Sequence, residues 1–271
     1  MSAPFLKNID WERPWLGPLL PIADPILQAE DWRQALNAAA ASAALQNLRG
    51  LPIRFVPQAD LPAKTSYEAF ISDTGGVPTR DNLHDFFNAL MWLDFPKIKT
   101  QLNALQAAEI ARAPMGSTNS VPGQSVRGKV RDAATIFDEN AALVITRDPT
   151  LVEALRNHDW RELFIVRREA FLRDYQVCLF GHALIEKLVS PYKAITAHAW
   201  TVAADDAFFT LTPMEKRTWI DGQIARELAY GLAPSAFTPL PVLGLPGWWE
   251  NQGEAYYEDV KVFRPKRVLK K

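Results

Sequence analysis

The sequence predicts a mixed α/β or α+β fold, in which a small central sheet is surrounded by helices. Long segments with helical periodicity alternate with short apolar runs, and each run is flanked by residues typical of turns. Pro213–Leu228 is an example of the first, with Thr212 and Glu215 spaced as a capping box. Ala141–Thr146 and Val177–Phe180 are examples of the second. No internal repeat or sharp boundary divides the 271 residues, so residues 1–271 are expected to form a single globular domain.

Helical periodicity and end signals predict the helices. Trp32, Leu36 and Ala40 recur at helical spacing, Pro149 follows a capping Asp148, and proline is favoured in a first helical turn. In Lys97–Arg112, Ile98 and Leu102 face one way, whereas Lys99 and Gln106 are expected on the other side. The predicted helices are Ile26–Leu48, Thr79–Lys97 with Thr79 or Asp81 as its cap, Lys97–Arg112, Val130–Phe137, Pro149–Asn157, Trp160–Arg173, His182–Leu188 and Pro213–Leu228.

Alternation and short apolar runs predict the strands, which are Leu51–Val56, Tyr67–Ile71, Ala141–Thr146, Val177–Phe180 and Ala194–Ala203. Both ends of the chain are rich in Pro and Trp and are expected to be extended and irregular, anchored to the body by their aromatic rings. Residues 113–129 read as a flexible loop, either a disordered link or a functional lid.

Composition limits the class of protein. The formal net charge is −1, from 30 basic and 31 acidic residues, so nucleic-acid binding is not favoured. The single cysteine, Cys178, rules out an intramolecular disulfide and a cysteine-rich zinc site. The N-terminal residues lack the pattern of a secretory signal, and no apolar run is long enough to span a membrane. A cytoplasmic location is therefore expected.

The helix Thr79–Lys97 carries an unusual polar stripe. His84 and Asn88 are four residues apart and point the same way, and Asp85 lies ~100° around the helix. These short side chains are able to ligate a metal, transfer a proton or bind a buried partner. Asp85 and Asn88 are therefore candidate catalytic residues, and His84 is a candidate metal ligand.

Two further histidines lie in segments that otherwise read as core. His182 follows the apolar run Val177–Phe180 and one glycine, and then opens a helix that carries Glu186 four residues on. The carboxyl end of a strand is a common ligand site in open sheets, although a ring bonded to a backbone carbonyl is an equally ordinary use of such a histidine. His198 lies among small residues, which leave room either for a ligand or for close packing. Both are candidate metal ligands.

Two adjacent carboxylates, Asp138 and Glu139, are predicted in a turn before the strand Ala141–Thr146. Asp138 is a candidate metal ligand, and Glu139 is a candidate base that activates water. The alternative is a polar turn that caps the preceding helix. Arg127 and Arg131 lie just upstream and would suit an anionic substrate if they fold toward the site.

Six segments together resemble domain-of-unknown-function family 3025 of the proteobacteria, over about Trp11 to Arg267. The resemblance implies one domain that includes the aromatic C-terminal segment, and it implies no reaction, cofactor or catalytic residue. The segments are RDNLHDFFNALMWLDFPKIKTQLNA, RDAATIFDENAALV, FGHALIEKL, PYKAITAHAW, PLPVLGLPGWW and YYEDVKVFRPKR.

The leading functional hypothesis is a metal-dependent hydrolase of a small phosphoester or amide, with zinc, manganese or iron as the metal. Two other classes stay open. One is a non-catalytic protein in which the polar residues form a buried network that specifies the core. The other is a partner-binding module that uses the loop 113–129 or the basic end Lys266–Lys271. Access of solvent to the polar site distinguishes the hydrolase from the buried structural network.

Overall fold

The computed structural model describes residues 3–112 and 126–266, together with all their side chains except those of Val126 and Arg127. The fold is mixed α+β, with helices around a small sheet. The helices are α1 (Leu20–Leu27), α2 (Trp32–Ser42), α3 (Tyr67–Thr74), α4 (Leu83–Asp94), α5 (Pro96–Arg112), α6 (Val126–Asn140), α7 (Pro149–Asn157), α8 (Arg168–Asp174), α9 (His182–Lys187), α10 (Asp206–Thr210), α11 (Pro213–Ala229) and α12 (Glu254–Tyr257).

The strands form one mixed sheet and one parallel pair. The main sheet has the order β4-β3-β5-β6, in which β3 is parallel to β5 and antiparallel to β4. β6 is antiparallel to β5, and a separate parallel pair joins β1 to β2. The strands are β1 (Arg54–Pro57), β2 (Gly76–Thr79), β3 (Ala141–Thr146), β4 (Tyr175–Leu179), β5 (Thr196–Ala203) and β6 (Thr238–Pro241).

Strand β3 lies at the centre of the fold. All six of its residues are buried, as an apolar strand covered on both faces requires. Helix α6 runs directly into it, because Asn140 ends the helix and Ala141 begins the strand. The antiparallel partner β4 pairs Leu179 with Ala142, which places the end of β4 beside the start of β3. The end of α6 and the start of α9 therefore meet at one edge of the sheet.

Helix α5 packs between other helices instead of facing solvent. It contacts α3, α4, α6 and α11, and its buried side chains include Lys99 and Gln106 as well as Ile98. Lys99 and Gln106, which the periodicity places away from the apolar face, are therefore buried as well. Periodicity identified one apolar face, but it does not reveal that other helices also cover the opposite face.

Several predicted elements agree closely with the structure. β3 and α7 have the predicted bounds, and the predicted helices Lys97–Arg112 and Pro213–Leu228 differ from α5 and α11 by one residue at one end. These segments carry strong local end signals, such as the capping box of Thr212 at the start of α11. Segment 113–125, most of the predicted loop, lies outside the described residues, and Val126–Lys129 opens α6.

Other predictions are wrong for local reasons. Tyr67–Ile71, predicted as a strand, is helical, because Ser66 and Gly75 bound a helix whose aromatic residues follow its period. The predicted turn that contains Asp138 and Glu139 is the last turn of α6. The single predicted helix Ile26–Leu48 is broken, since Asp31 caps a new helix by accepting from two backbone N–H groups.

The N-terminal segment is more helical than predicted. Pro21 lies at the start of α1, where proline is compatible with a helix, so the segment is not simply extended. Trp15 anchors it by donating from Nε1 to the carbonyl of Leu188 at 3.0 Å. In the described ranges, no helix combines the length and apolar character that crossing a membrane requires.

Candidate functional site

His84 lies in the first turn of α4 and is half-buried. The cap of this helix is Asn82, whose side chain accepts from the N–H of Asp85 at 2.8 Å, and not the predicted Thr79 or Asp81. The Nδ1 of His84 lies 3.0 Å from Oε2 of Glu186 on α9. Because a carboxylate only accepts, Nδ1 carries the proton in this bond, and Nε2 presents its lone pair on the opposite side of the ring.

His182 is positioned by the chain reversal that joins β4 to α9. Gly181, just before it, approaches the start of β3 so closely that an added Cβ would lie 2.4 Å from the backbone nitrogen of Asn140. This contact requires glycine. It places the buried His182 against α4, which packs on α9, and the Nε2 atoms of His182 and His84 are 3.1 Å apart. The two rings meet edge to face.

The two carboxylates at the end of α6 face the ring of His182 from different sides. Oε1 of Glu139 is 3.6 Å from Nε2 of His182, on the side that faces His84. Oδ2 of Asp138 is 3.9 Å from Nδ1 of His182, which is buried and has no hydrogen-bond partner among the described residues. Asp138 therefore lies behind the ring, and Glu139 lies beside the nitrogen pair.

These side chains form the one group of three His, Cys or acidic residues in the described chain with potential ligand atoms within 4.8 Å of one another: His84, Glu139 and His182. Two nitrogens on a tetrahedral zinc at about 2.05 Å are ~3.3 Å apart, close to the observed 3.1 Å. Glu139 is half-buried, and its carboxylate completes the set with ligand atoms that all lie within 4.8 Å of one another. Two imidazoles and one carboxylate are a donor set used for catalytic zinc and for non-haem iron.

Burial dominates the electrostatics of the group. It lowers the pKa of His182 to about 4, so the ring is neutral at pH 7 and its lone pair is available. Burial likewise raises the pKa of Glu139. Burial would also raise the pKa of Asp138, but the positive charge of Lys99 and its hydrogen bond to the carboxylate oppose burial, and the pKa of Asp138 lies below its ordinary value.

A buried chain of hydrogen bonds extends from Asp138 into the core. Lys99, only 4% exposed, donates from Nζ to Oδ1 of Asp138 at 2.6 Å and to Oδ1 of Asn88 at 2.7 Å. Asn88 in turn donates to the hydroxyl of Tyr67 at 2.9 Å. Asn88, predicted to be catalytic, is thus linked to the histidines through Lys99 and Asp138.

Sequence reasoning missed the roles of Lys99 and Glu186. Lys99, Asn103 and Gln106 follow one another at spacings of four and three, so they form a second polar stripe on a helix, and all three are buried. Glu186 was noted only as a neighbour of His182 on its own helix, and its partner proves to be His84. The polar stripe is a sequence signal that could have identified Lys99, whereas no local signal links Glu186 to His84, 102 positions away.

The remaining predicted residues lie apart from this group. His198 is half-buried on β5, where its ring packs against Phe237 at 5.9 Å, and it is not in the group of three. Asp85 accepts two bonds at 2.9 Å from the guanidinium of Arg80 and one from its backbone N–H, so it holds the turn before α4. Arg131 is exposed on α6, and the side chain of Arg127 lies outside the described residues.

A family model, Protein of unknown function (DUF3025), matches residues 53–267. The match covers most of the chain, including both histidines and both carboxylates, and the chain belongs to this family. No curated protein and no solved structure matches the chain.

Proposed function

We propose that this member of the DUF3025 family binds one divalent transition metal through His84, His182 and Glu139, and hydrolyses a small phosphoester or amide with it. The observation that carries the proposal is the approach of the two Nε2 atoms to 3.1 Å, in rings whose Nδ1 atoms both face carboxylates. Zinc, manganese and iron are the metals that fit this donor set.

The carboxylates that face the Nδ1 atoms of the two histidines, Glu186 and Asp138, support the proposal. Metal-binding histidines commonly donate their other N–H to a carboxylate, which selects the tautomer and orients the ring. Glu186 stands in that position for His84 at 3.0 Å. Asp138 stands behind His182 at 3.9 Å, held by Lys99, and a small approach would make the same bond. Without a metal, Nε2–H of His182 donates to Nε2 of His84 across the 3.1 Å. A metal would replace that proton, Nδ1 would then carry the proton on both rings, and both Nε2 lone pairs would face the cation.

The exposure of the side chains supports a reactive site. His84, Glu139 and Glu186 are half-buried, so one side of the group is open, whereas His182 and its Asp138–Lys99 pair close the other side. Three protein ligands leave a coordination position open for water.

Hydrolysis at this site would require the metal, a bound water and the substrate. A metal of this kind lowers the pKa of a bound water to ~7 and polarises the substrate oxygen. The water oxygen would form the new bond to phosphorus or to the acyl carbon, while the ester or amide bond breaks and the leaving group takes a proton. Glu139 acts in this scheme as a ligand, which replaces its role as base in the sequence-based hypothesis.

Elemental analysis of protein purified without chelator is the primary test. We expect about one zinc, manganese or iron per chain, and its loss in His84→Ala and His182→Ala. His198→Ala is the matched control and should keep the metal, since His198 lies outside the group. A folded protein that neither retains metal nor binds added zinc would refute the site and favour a purely structural polar network.

Hydrolysis is tested separately with p-nitrophenyl phosphate and p-nitroacetanilide. We expect release of nitrophenol or nitroaniline that requires the metal and falls at least 100-fold in His182→Ala. Metal binding without turnover of either compound would leave the metal site intact and contradict this reaction assignment for these two substrate classes.

A further inference from the structure

A second feature of the molecule is a cleft of about 1110 Å³ between the N-terminal segment, the edge strand β4 and the start of α11. Its lining includes none of His84, Glu139 or His182. Small-molecule pockets in proteins commonly measure ~300–1,000 Å³, so this cleft is large enough for a ligand of that class.

The floor of the cleft is apolar. Trp15, Leu19, Phe95, Leu179 and Ile220 line it and are all buried. Apolar walls of this kind favour burial of a hydrocarbon chain, because each methylene removed from water adds to the free energy of binding.

The acidic side chains of the cleft already have partners. Asp94, 8% exposed, accepts through Oδ1 from Nη1 of Arg217 at 2.7 Å. Asp221 of α11 accepts from the backbone N–H groups of Lys97 and Ile98, at 3.1 and 2.9 Å, and so satisfies two N–H groups in the first turn of α5. Burial raises the pKa of Asp94 to about 7, which weakens its negative charge at neutral pH. Burial also raises the pKa of Asp221.

Two basic side chains of the cleft lack such partners. Lys97 and Lys216 line it, and within residues 3–112 and 126–266 neither forms a salt bridge with a carboxylate. Lys97 and Met214 both line the cleft and are exposed, so these residues mark the mouth. The Nζ of Lys216 lies 5.6 Å from the ring of Phe208. The cleft thus combines an apolar floor with a positive mouth.

We infer that this cleft binds a single-chain anionic amphiphile, whose hydrocarbon chain lies on the apolar floor and whose carboxylate lies at the mouth near Lys97 and Lys216. Charge and polarity of the lining select this class over a cationic or neutral amphiphile. The site uses no residue of the proposed metal centre, so either proposal can fail without the other.

Three probes with one common tail test the inference: dodecanoate, dodecanol and dodecyltrimethylammonium, each below its micelle concentration, by isothermal titration calorimetry. We expect dodecanoate to bind with a stoichiometry near one, at least ~10-fold tighter than the other two. Equal affinity for dodecanol would overturn the role of the lysines, and no binding of dodecanoate would overturn the site.

Paired variants locate the site. Lys97→Glu and Lys216→Glu should each weaken dodecanoate binding by ~10-fold, whereas Lys129→Glu, an exposed lysine outside the cleft, should not. Val177→Trp should fill the cleft from the edge strand and abolish binding. Leu172→Trp, on an exposed residue elsewhere, is its control. Unchanged binding in folded Val177→Trp would show that the ligand binds elsewhere.

Discussion

Replacing Lys99 by Met should strongly destabilise the protein. Lys99 is only 4% exposed, and its ammonium is 2.6 Å from Asp138, a carboxylate that is also buried. Met keeps most of the volume and removes the charge, so Asp138 is left ionised without its main partner. Removing one member of a buried ion pair costs about 3–5 kcal/mol.

The loss is measurable as a shift of the unfolding midpoint. For a chain of this size, 1 kcal/mol corresponds to about 2–4 °C, so a decrease of about 6–20 °C is expected. Urea unfolding followed by circular dichroism gives the free energy directly. A loss below ~1 kcal/mol would refute the interpretation, because it would mean that the pair is solvated or that Asp138 protonates without cost.

A double-mutant cycle separates the pair from simple loss of packing. Asp138→Asn alone should also destabilise, since it leaves the Lys99 ammonium buried beside a neutral amide. The double variant Lys99→Met with Asp138→Asn carries neither charge and should be at least ~1 kcal/mol more stable than the sum of the single effects predicts. Strict additivity would contradict the coupling.

Three further predictions follow from other parts of the molecule. Gly181→Ala should lose about 1–3 kcal/mol in urea unfolding, since its Cβ would meet the backbone nitrogen of Asn140 at 2.4 Å; an unchanged midpoint would contradict this close approach. The pKa of Asp94 is about 7 in the folded state, above its value in the unfolded state. Between about pH 4 and 7 the folded state therefore binds more protons than the unfolded state, so the contribution of Asp94 to stability decreases as pH rises. Asp94→Asn should therefore flatten the pH dependence of stability by at most ~1.4 kcal/mol per unit, and identical wild-type and variant slopes would exclude the effect. Glu186→Gln should weaken zinc binding ~10–100-fold in a calorimetric titration, because the amide is a poorer acceptor for Nδ1 of His84; undiminished affinity would show that Glu186 does not orient that ring.

Elements with strong local signals could be predicted from the sequence. β3 is a run of five apolar residues followed by Thr146, and α7 begins with proline after a capping aspartate, so both have the predicted bounds. Tyr67–Ile71 was assigned wrongly, because its aromatic residues suit a strand as well as a helix and only Gly75 marks the helical end. Local chemistry determines an element when one conformation satisfies all of its signals.

The sequence also singled out His84 and His182 one by one, each for a local reason. Their proximity depends on two long-range contacts, the antiparallel pairing of β3 with β4 and the packing of α4 on α9. The same contacts leave His198 on β5 outside the group of three. Spacing along the chain contains no information about such distances when the residues lie 98 positions apart.

By itself, the sequence determined the composition class, the main helices and strands, and the unusual residues on α4. Only the tertiary structure decided which polar side chains are buried and which of them meet, as Lys99 and Glu186 show. The physical reason is that secondary structure follows from short-range backbone and side-chain preferences. Burial and the partners of a charge depend instead on surfaces contributed by distant segments.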